Sequence, residues 1–284
     1  MSARVARPRL NLAATAVLVV GALYTIVPVA WILIASTKSN AELFGTEPFV
    51  PAFTGGFQDN LVGLFSYRDG IFGQWALNSL LYAGGGGILS TLIAAGTGYA
   101  LGKYRFRGST TIFRIIVAAV LLPAIVLAIP QYLMLAQLGF TNNYLAVILP
   151  LLVSPFAIYL CKIYAEASVP DELMEAARLD GSSEWRIFRS VGVRLMAPAV
   201  VTVFLLQFIG IWNNFLLPSI MLSNDKLYPL TLGLLGMLRV SGGQAALYSF
   251  VIMGSLLSII PVVILFLSLQ RFWRIDLLSG GVKA

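Results

Sequence analysis

The side chains able to do chemistry in this sequence are few and fall in two places. One is the polar run VPDELMEAARLDGSSEWRIFRS, residues 169–190, where carboxylates, guanidiniums and small residues alternate. That mixture suits docking against another surface. The other is a set of amides, Asn78, Gln131, Asn213 and Asn214, lying inside apolar stretches. They suit hydrogen bonding to a solute or to a neighbouring helix. The chain has no histidine, which removes the usual general base, the commonest metal ligand and any Ser-His-Asp triad. Its one cysteine, Cys161, can form neither an internal disulfide nor a metal cluster. No catalytic residue, metal or resident cofactor is therefore expected.

The elements that carry these residues follow from composition. Of 284 residues, 58% are hydrophobic and only 11% charged, and the mean hydropathy is +0.87. Soluble domains carry about a quarter charged residues, so lipid must face much of this chain. A hydrocarbon core about 30 Å thick takes about 20 apolar residues as helix. Six stretches qualify, at 12–35, 75–102, 112–136, 143–165, 198–222 and 246–270. The first follows Arg4, Arg7 and Arg9, but it is too long for a signal-peptide core and no small-residue cleavage site closes it. It reads as an uncleaved span.

Charge placement sets the orientation. With six spans, fifteen of the nineteen basic residues fall on the side of the two termini, among them Lys103, Arg105, Arg107, Arg178, Arg186, Arg189 and Arg194. Only Lys38, Arg68, Lys226 and Arg239 fall on the other side. Both termini are therefore expected in the cytoplasm. The net charge of +7 is a topology signal, with no nucleic-acid partner implied. The expected fold is an all-α membrane protein. It comprises a cytoplasmic segment 1–11, a six-helix domain 12–270 containing a cytoplasmic loop 166–197, and a cytoplasmic tail 271–284. The loops 36–74 and 223–245 lie outside, with Pro, Gly and Asn clusters that predict irregular backbone and short helices.

The polar run sits on the inner loop. Pro170 suits a first helical position, with Asp171 and Glu172 in the first turn, where the helix dipole favours them. Leu173, Ala176 and Ala177 share one shallow face. Gly181 is the expected C-terminal stop at positive φ, and Ser182 or Ser183 can cap a second helix. These residues fit a docking element. They equally fit an interfacial amphipathic helix that only tethers two spans.

Glu175, Ala176, Ala177, Asp180 and Gly181 match the EAA-x-x-x-G loop of binding-protein-dependent ABC importer permeases. STK after the first span, WALNS at Trp75, LLPAIVLAIPQYL, WNNFLLP at Trp212 and the ending GGVKA resemble the sugar-importer, maltose-type branch. The resemblance implies a type I permease of the bacterial inner membrane. Its partners would be a second permease subunit, two ATPase subunits that bind ATP and Mg, and an extracytoplasmic solute-binding protein. It also implies a coupling helix between spans four and five. There Glu175 and Asp180 make polar contacts, Ala176 and Ala177 form the close surface, and Gly181 makes the turn. Residues 223–245 resemble a loop that reaches the binding protein, and the tail resembles one near the ATPase interface. One departure is Val193-Arg194, where the family commonly has Leu-Pro; Pro198 is retained.

The amides remain open to two readings. Polar groups at membrane depth are costly unless paired or lining a cavity, so they fit a solute path. They also fit inter-helix hydrogen bonds worth about 1 kcal/mol. Gln207 shares the ambiguity. The glycines 84–87, with Gly98 and Gly102, read as small-residue helix packing. GTGYALGKY fails as a Walker A in its spacing, and Tyr104 stands where Ser or Thr is needed. The solute is expected to be a carbohydrate, with a polyol or glycerol-phosphate as the alternative. An ion-coupled secondary transporter fits less well, because no Asp, Glu or His lies mid-span.

Overall fold

The computed structural model of the chain describes residues 12–240 and 246–279, and every regular element in them is helical. The expectations for residues 1–11, for 241–245 and for the last residues of the tail lie outside the described residues. Among the described residues four helices are long and apolar enough to cross a membrane, or up to six if each of two sharply bent pairs is one span.

The chain divides into two units. The first comprises Met1–Ser66 and Met237–Leu257. Its opening helix, Leu12–Ala35, is exposed along residues 12–29, as an apolar helix meant for lipid or a partner would be. The turn after it is built on buried polar atoms. The Asn60 amide donates to the carbonyls of Ser36 and Lys38 at 3.0 and 2.8 Å. The buried Lys38 ammonium donates to the Thr46 hydroxyl at 3.0 Å and the Glu47 carbonyl at 2.6 Å. Ser39 and Glu42 form a capping box on the short helix Asn40–Gly45.

The second unit comprises Tyr67–Gly236 and Ser258–Ala284. Arg68, Asp69 and Gly70 take left-handed backbone, so the second span starts at Ile71. It runs through a π-helical stretch, Leu81–Gly86, into the helix Gly87–Lys103. The packing expected of the glycines is uneven. A Cβ on Gly98 would lie 2.5 Å from the Cys161 Cβ and 2.7 Å from the Lys162 backbone N, so the second and fourth spans touch there backbone to backbone. Gly102 is also close-packed, a Cβ on Gly87 would make ordinary contacts at 3.5–3.6 Å, and Gly84 and Gly85 meet nothing within 4 Å and sit in the π-helical stretch.

Three of the expected spans are broken. The third divides into Ser109–Val120 and Ala124–Gln137 at an angle of 107°. The cause is Pro123, which disfavours helical backbone at Leu122 before it. The fourth divides into Tyr144–Leu152 and Pro155–Ser168, with Val153 and Ser154 extended between them. The fifth, Ala197–Trp212, ends at Asn213, and the separate helix Leu216–Met221 follows. The fifth span also meets the preceding segment Glu184–Leu195 at 78°. This bend forms at Met196, with Pro198 in the first turn of the helix beyond, so the turn needs no proline at Arg194.

The core of this unit joins spans two, four and five. Ala94, Ala95, Tyr99, Ala157, Ile158, Cys161, Ala165 and Val203 pack with Met174, Ile187 and Met196 from the segment between spans four and five.

Candidate functional site

The helix of the polar run spans Asp171–Leu179, with Pro170 as its N-cap in extended backbone, one position earlier than expected. It ends in a Schellman turn. The Ser182 N–H donates to the Ala177 carbonyl at 3.0 Å and the Gly181 N–H to the Arg178 carbonyl at 2.9 Å, with Gly181 at φ +75°. Of the two serines, Ser183 caps the next helix by accepting from the Arg186 N–H.

The expected face of Leu173, Ala176 and Ala177 is divided by this packing. Met174 is buried and accepts from the Tyr99 hydroxyl at 3.6 Å, and Ala177 is half-buried beside it. Leu173, Glu175, Ala176, Leu179 and Asp180 point away, with Leu179 89% exposed. The inner face therefore holds the helix, and the outer face is left free.

Both ends of the helix are pinned. The Lys103 ammonium donates to Asp171 at 2.9 Å. At the other end Arg178 Nε donates to Glu184 at 2.7 Å, and the Tyr104 hydroxyl donates to the same carboxylate at 2.8 Å. The bond from Lys103, with its charge, holds the Asp171 carboxyl below the usual range. The bonds from Arg178 and then Tyr104 do the same for Glu184. Desolvation and the bond to Glu184 push the Tyr104 phenol up. These partners were not singled out from the sequence. The only local signal was the basic and aromatic pair Lys103-Tyr104 ending an apolar run.

At its other end the second span holds residues 225–230. One helical face, at i, i+3, i+4 and i+7, presents Trp75, Asn78, Ser79 and Tyr82. Trp75 Nε1 donates to the Asp225 carbonyl at 2.8 Å, and Asn78 Nδ2 to those of Lys226 and Tyr228 at 2.8 and 3.0 Å. The Tyr82 hydroxyl donates to the Leu227 carbonyl at 2.9 Å, and Ser79 Oγ accepts from the Leu230 N–H at 2.7 Å. Asn78 Oδ1 accepts from Gln74 and from the Tyr144 hydroxyl. The Asn78 amide is thus fully used within the chain. Arg68 pairs with Asp225, and Asn142, at φ +54°, accepts from the N–H groups of Ser223 and Asn224.

The remaining amides divide. Asn213 is exposed and donates to the Ile209 carbonyl one turn back. Gln131 and Asn214, which the sequence singled out, and Gln207 come together on one cavity of about 400 Å³. Ala124, Leu127, Ala128 and Gln131 line it from one helix, at i, i+3, i+4 and i+7. Gln207, Gly210 and Ile211 line it from the helix Ala197–Trp212, and Asn214 from the break just beyond that helix. Ser154, at the break of the fourth span, is a further polar group on the wall.

Comparison with known proteins agrees with this architecture. Residues 87–274 match the family model described as binding-protein-dependent transport system inner membrane component. The chain is 33% identical over 265 residues to the arabinooligosaccharides transport system permease protein AraQ of Halalkalibacterium halodurans, covering 92% of each chain. It is 28% identical to the lactose transport system permease protein LacG of Rhizobium radiobacter, covering 94% of each. Its fold is similar to that of a chain in the crystal structure of a bacterial ABC transporter involved in the import of the acidic polysaccharide alginate. There the TM-score is 0.81 at 24% identity, over 92% of this chain and 95% of that one. The chain belongs to the family of binding-protein-dependent transport system inner membrane components.

Proposed function

We propose that this chain is one of two permease subunits of an ATP-driven carbohydrate importer, with six spans and both termini in the cytoplasm. The 166–197 segment is its cytoplasmic coupling loop within the 12–270 domain, flanked by the terminal segments 1–11 and 271–284. The solute class follows the relatives, whose names are those of arabinooligosaccharide and lactose permeases. Two ATPase subunits carry the ATP and Mg, a second permease completes the pore, and an extracytoplasmic binding protein delivers the solute.

The observation that carries this reading is the division of the Asp171–Leu179 helix. Met174 and two ionic clamps fasten it to its own chain, while Leu173, Glu175, Ala176, Leu179 and Asp180 stay exposed. An interfacial tether would lay a purely apolar face in lipid. Here the exposed face mixes Leu173, Ala176 and Leu179 with Glu175 and Asp180, and both helix ends are clamped, which suits docking against a partner surface. Docked in an ATPase cleft, it acts as a lever, since a push on it is delivered to spans two and five. Gln131 and Asn214 belong on this account to the solute path, with Asn213 beside them, and Asn78 holds the outer turn.

Purification of the tagged chain from its native membrane tests the assignment. It should bring down an ATPase subunit. Ala176→Trp, on the exposed face, should weaken that association while leaving the amount of inserted protein unchanged. Recovery without an ATPase, or association indifferent to Ala176→Trp, contradicts the docking.

A further inference from the structure

The cavity facing Gln131 is where three helix breaks meet. Its wall includes Val120, Leu122 and Ala124 from the break in the third span, Val153, Ser154 and Pro155 from the fourth, and Asn214 and Leu216 from the fifth. Irregular backbone at membrane depth persists only where it is buried in protein or lines a water-filled cavity. Three breaks on one cavity are therefore a built feature of this chain, and its volume of about 400 Å³ lies in the range of small-molecule sites.

The hydrogen-bonding inventory of the wall states what it can hold. Gln131 has no partner among the described residues and offers both a donor NH2 and an acceptor carbonyl. Gln207 Nε2 donates to Ser90 at 2.7 Å, which leaves its carbonyl free. Asn214 Oδ1 accepts from the Leu217 N–H at 3.2 Å, which leaves its NH2 free. Ser154 Oγ accepts from the Ala157 N–H at 3.3 Å and keeps its own proton to donate. Among the described residues no lining side chain is charged. The free set mixes donors with acceptors, and a hydroxyl group satisfies both kinds. A carboxylate or phosphate satisfies the donors only, and would face the Gln131 and Gln207 carbonyls with no cation to offset its desolvation. Ser154 and Asn214 also occupy the N–H groups at two of the helix ends that open on the cavity, which reduces what an anion could gain there.

We infer that this cavity is a subsite for an uncharged, polyhydroxylated solute, with Gln131, Gln207 and Asn214 as its hydrogen-bonding residues, and that it disfavours anionic solutes such as phosphate esters. The inference rests on the reading of this chain as half of a pore.

Single cysteines at Gln131 and Asn214, in the assembled transporter in membrane vesicles with and without Mg-ATP, test it. The probes are a neutral glucosyl methanethiosulfonate and the anionic sulfonatoethyl methanethiosulfonate, each rate normalised to that reagent's rate with free 2-mercaptoethanol. The unsubstituted protein, whose Cys161 is buried, gives the background. Phe53→Cys, at an exposed loop position, is the positive control. Gln131 makes no bond among the described residues, so Gln131→Cys keeps the test open if Asn214→Cys disturbs the bond to the Leu217 N–H. The expected result is faster labelling by the neutral reagent at both positions, by about tenfold or more, a lower bound because desolvating an unpaired anion costs more than the factor of ten represents. Equal rates, or a faster anionic reagent, overturn the neutral-solute inference and leave the pore reading standing. No labelling by either reagent at either position in any state, with Phe53→Cys reactive, overturns the pore-wall reading itself.

Discussion

Gly181 holds φ +75° in the turn after the Asp171–Leu179 helix, and a Cβ built there meets nothing within 4 Å. The consequence of any substitution is therefore carried by the backbone and not by a clash within the chain. An L-residue in left-handed backbone costs about 1–2 kcal/mol, with Asn and Asp the most tolerant. Leaving that region would instead break the two turn bonds made by the N–H groups of Gly181 and Ser182, each worth about 1 kcal/mol net. It would also move the Ser183 cap and the Arg178–Glu184 pair. The two routes cost about the same, so the turn becomes less populated by either one. Each 1.4 kcal/mol is about tenfold in the ratio of formed to unformed turn, which sets the upper limit of the loss in activity. Gly181→Val should reduce both uptake and binding-protein-stimulated ATP hydrolysis, by up to about tenfold from a strain of about 1–2 kcal/mol. Gly181→Asp should be intermediate, and Gly181→Asn should cost no more than about threefold for the same reason. The inserted amount, read by quantitative blotting of washed membranes, should stay constant across the series. Equal loss in the Asn and Val variants, or an Asn variant worse than Val, would refute the strain argument, because it would point to a partner contact at the side chain instead. Full activity in all three would remove the turn from the mechanism.

Two further outcomes follow from the clamps. Asn78→Leu removes two donors from the Lys226 and Tyr228 carbonyls, each costing about 1–3 kcal/mol if left buried and unpaired. It should increase protease cleavage within residues 223–230 while protease sensitivity near residue 181 stays unchanged. Acidification should loosen the Asp171–Leu179 helix. The carboxyls of Asp171 and Glu184 are held low in the fold by Lys103, Arg178 and Tyr104. Their contribution is present above the ordinary carboxylate pKa and is lost as pH falls through the depressed values. Amide exchange in residues 171–187, corrected for its intrinsic pH dependence, should show protection that is constant at neutral pH and falls only below that range. A loss of protection on raising the pH would contradict the pairing.

What was legible in the sequence came from short-range rules. The positive φ of Gly181, the acidic first turn at Asp171 and Glu172, the serine cap and the approximate positions of the apolar runs all depend on a residue and its neighbours within a turn or two. The same local logic located the amides but left two readings of each. Apolarity measures length and is blind to direction, so the third stretch read as one span although Pro123 turns it through 107°. The third, fourth and fifth runs gave no sign that their breaks meet.

Tertiary structure decided the rest, because the deciding contacts join residues far apart in the chain. Asn78 is used up by carbonyls 148 and 150 positions away, whereas Gln131 and Asn214 share a cavity that neither could reveal alone. Ala177 turns inward because Met174 finds Tyr99, 75 positions back. Hydropathy and turn chemistry state what a residue prefers. Which partner satisfies it depends on where helices cross, and in this chain the crossings are set by close backbone contact at Gly98 and by the breaks at Pro123, Ser154 and Asn213.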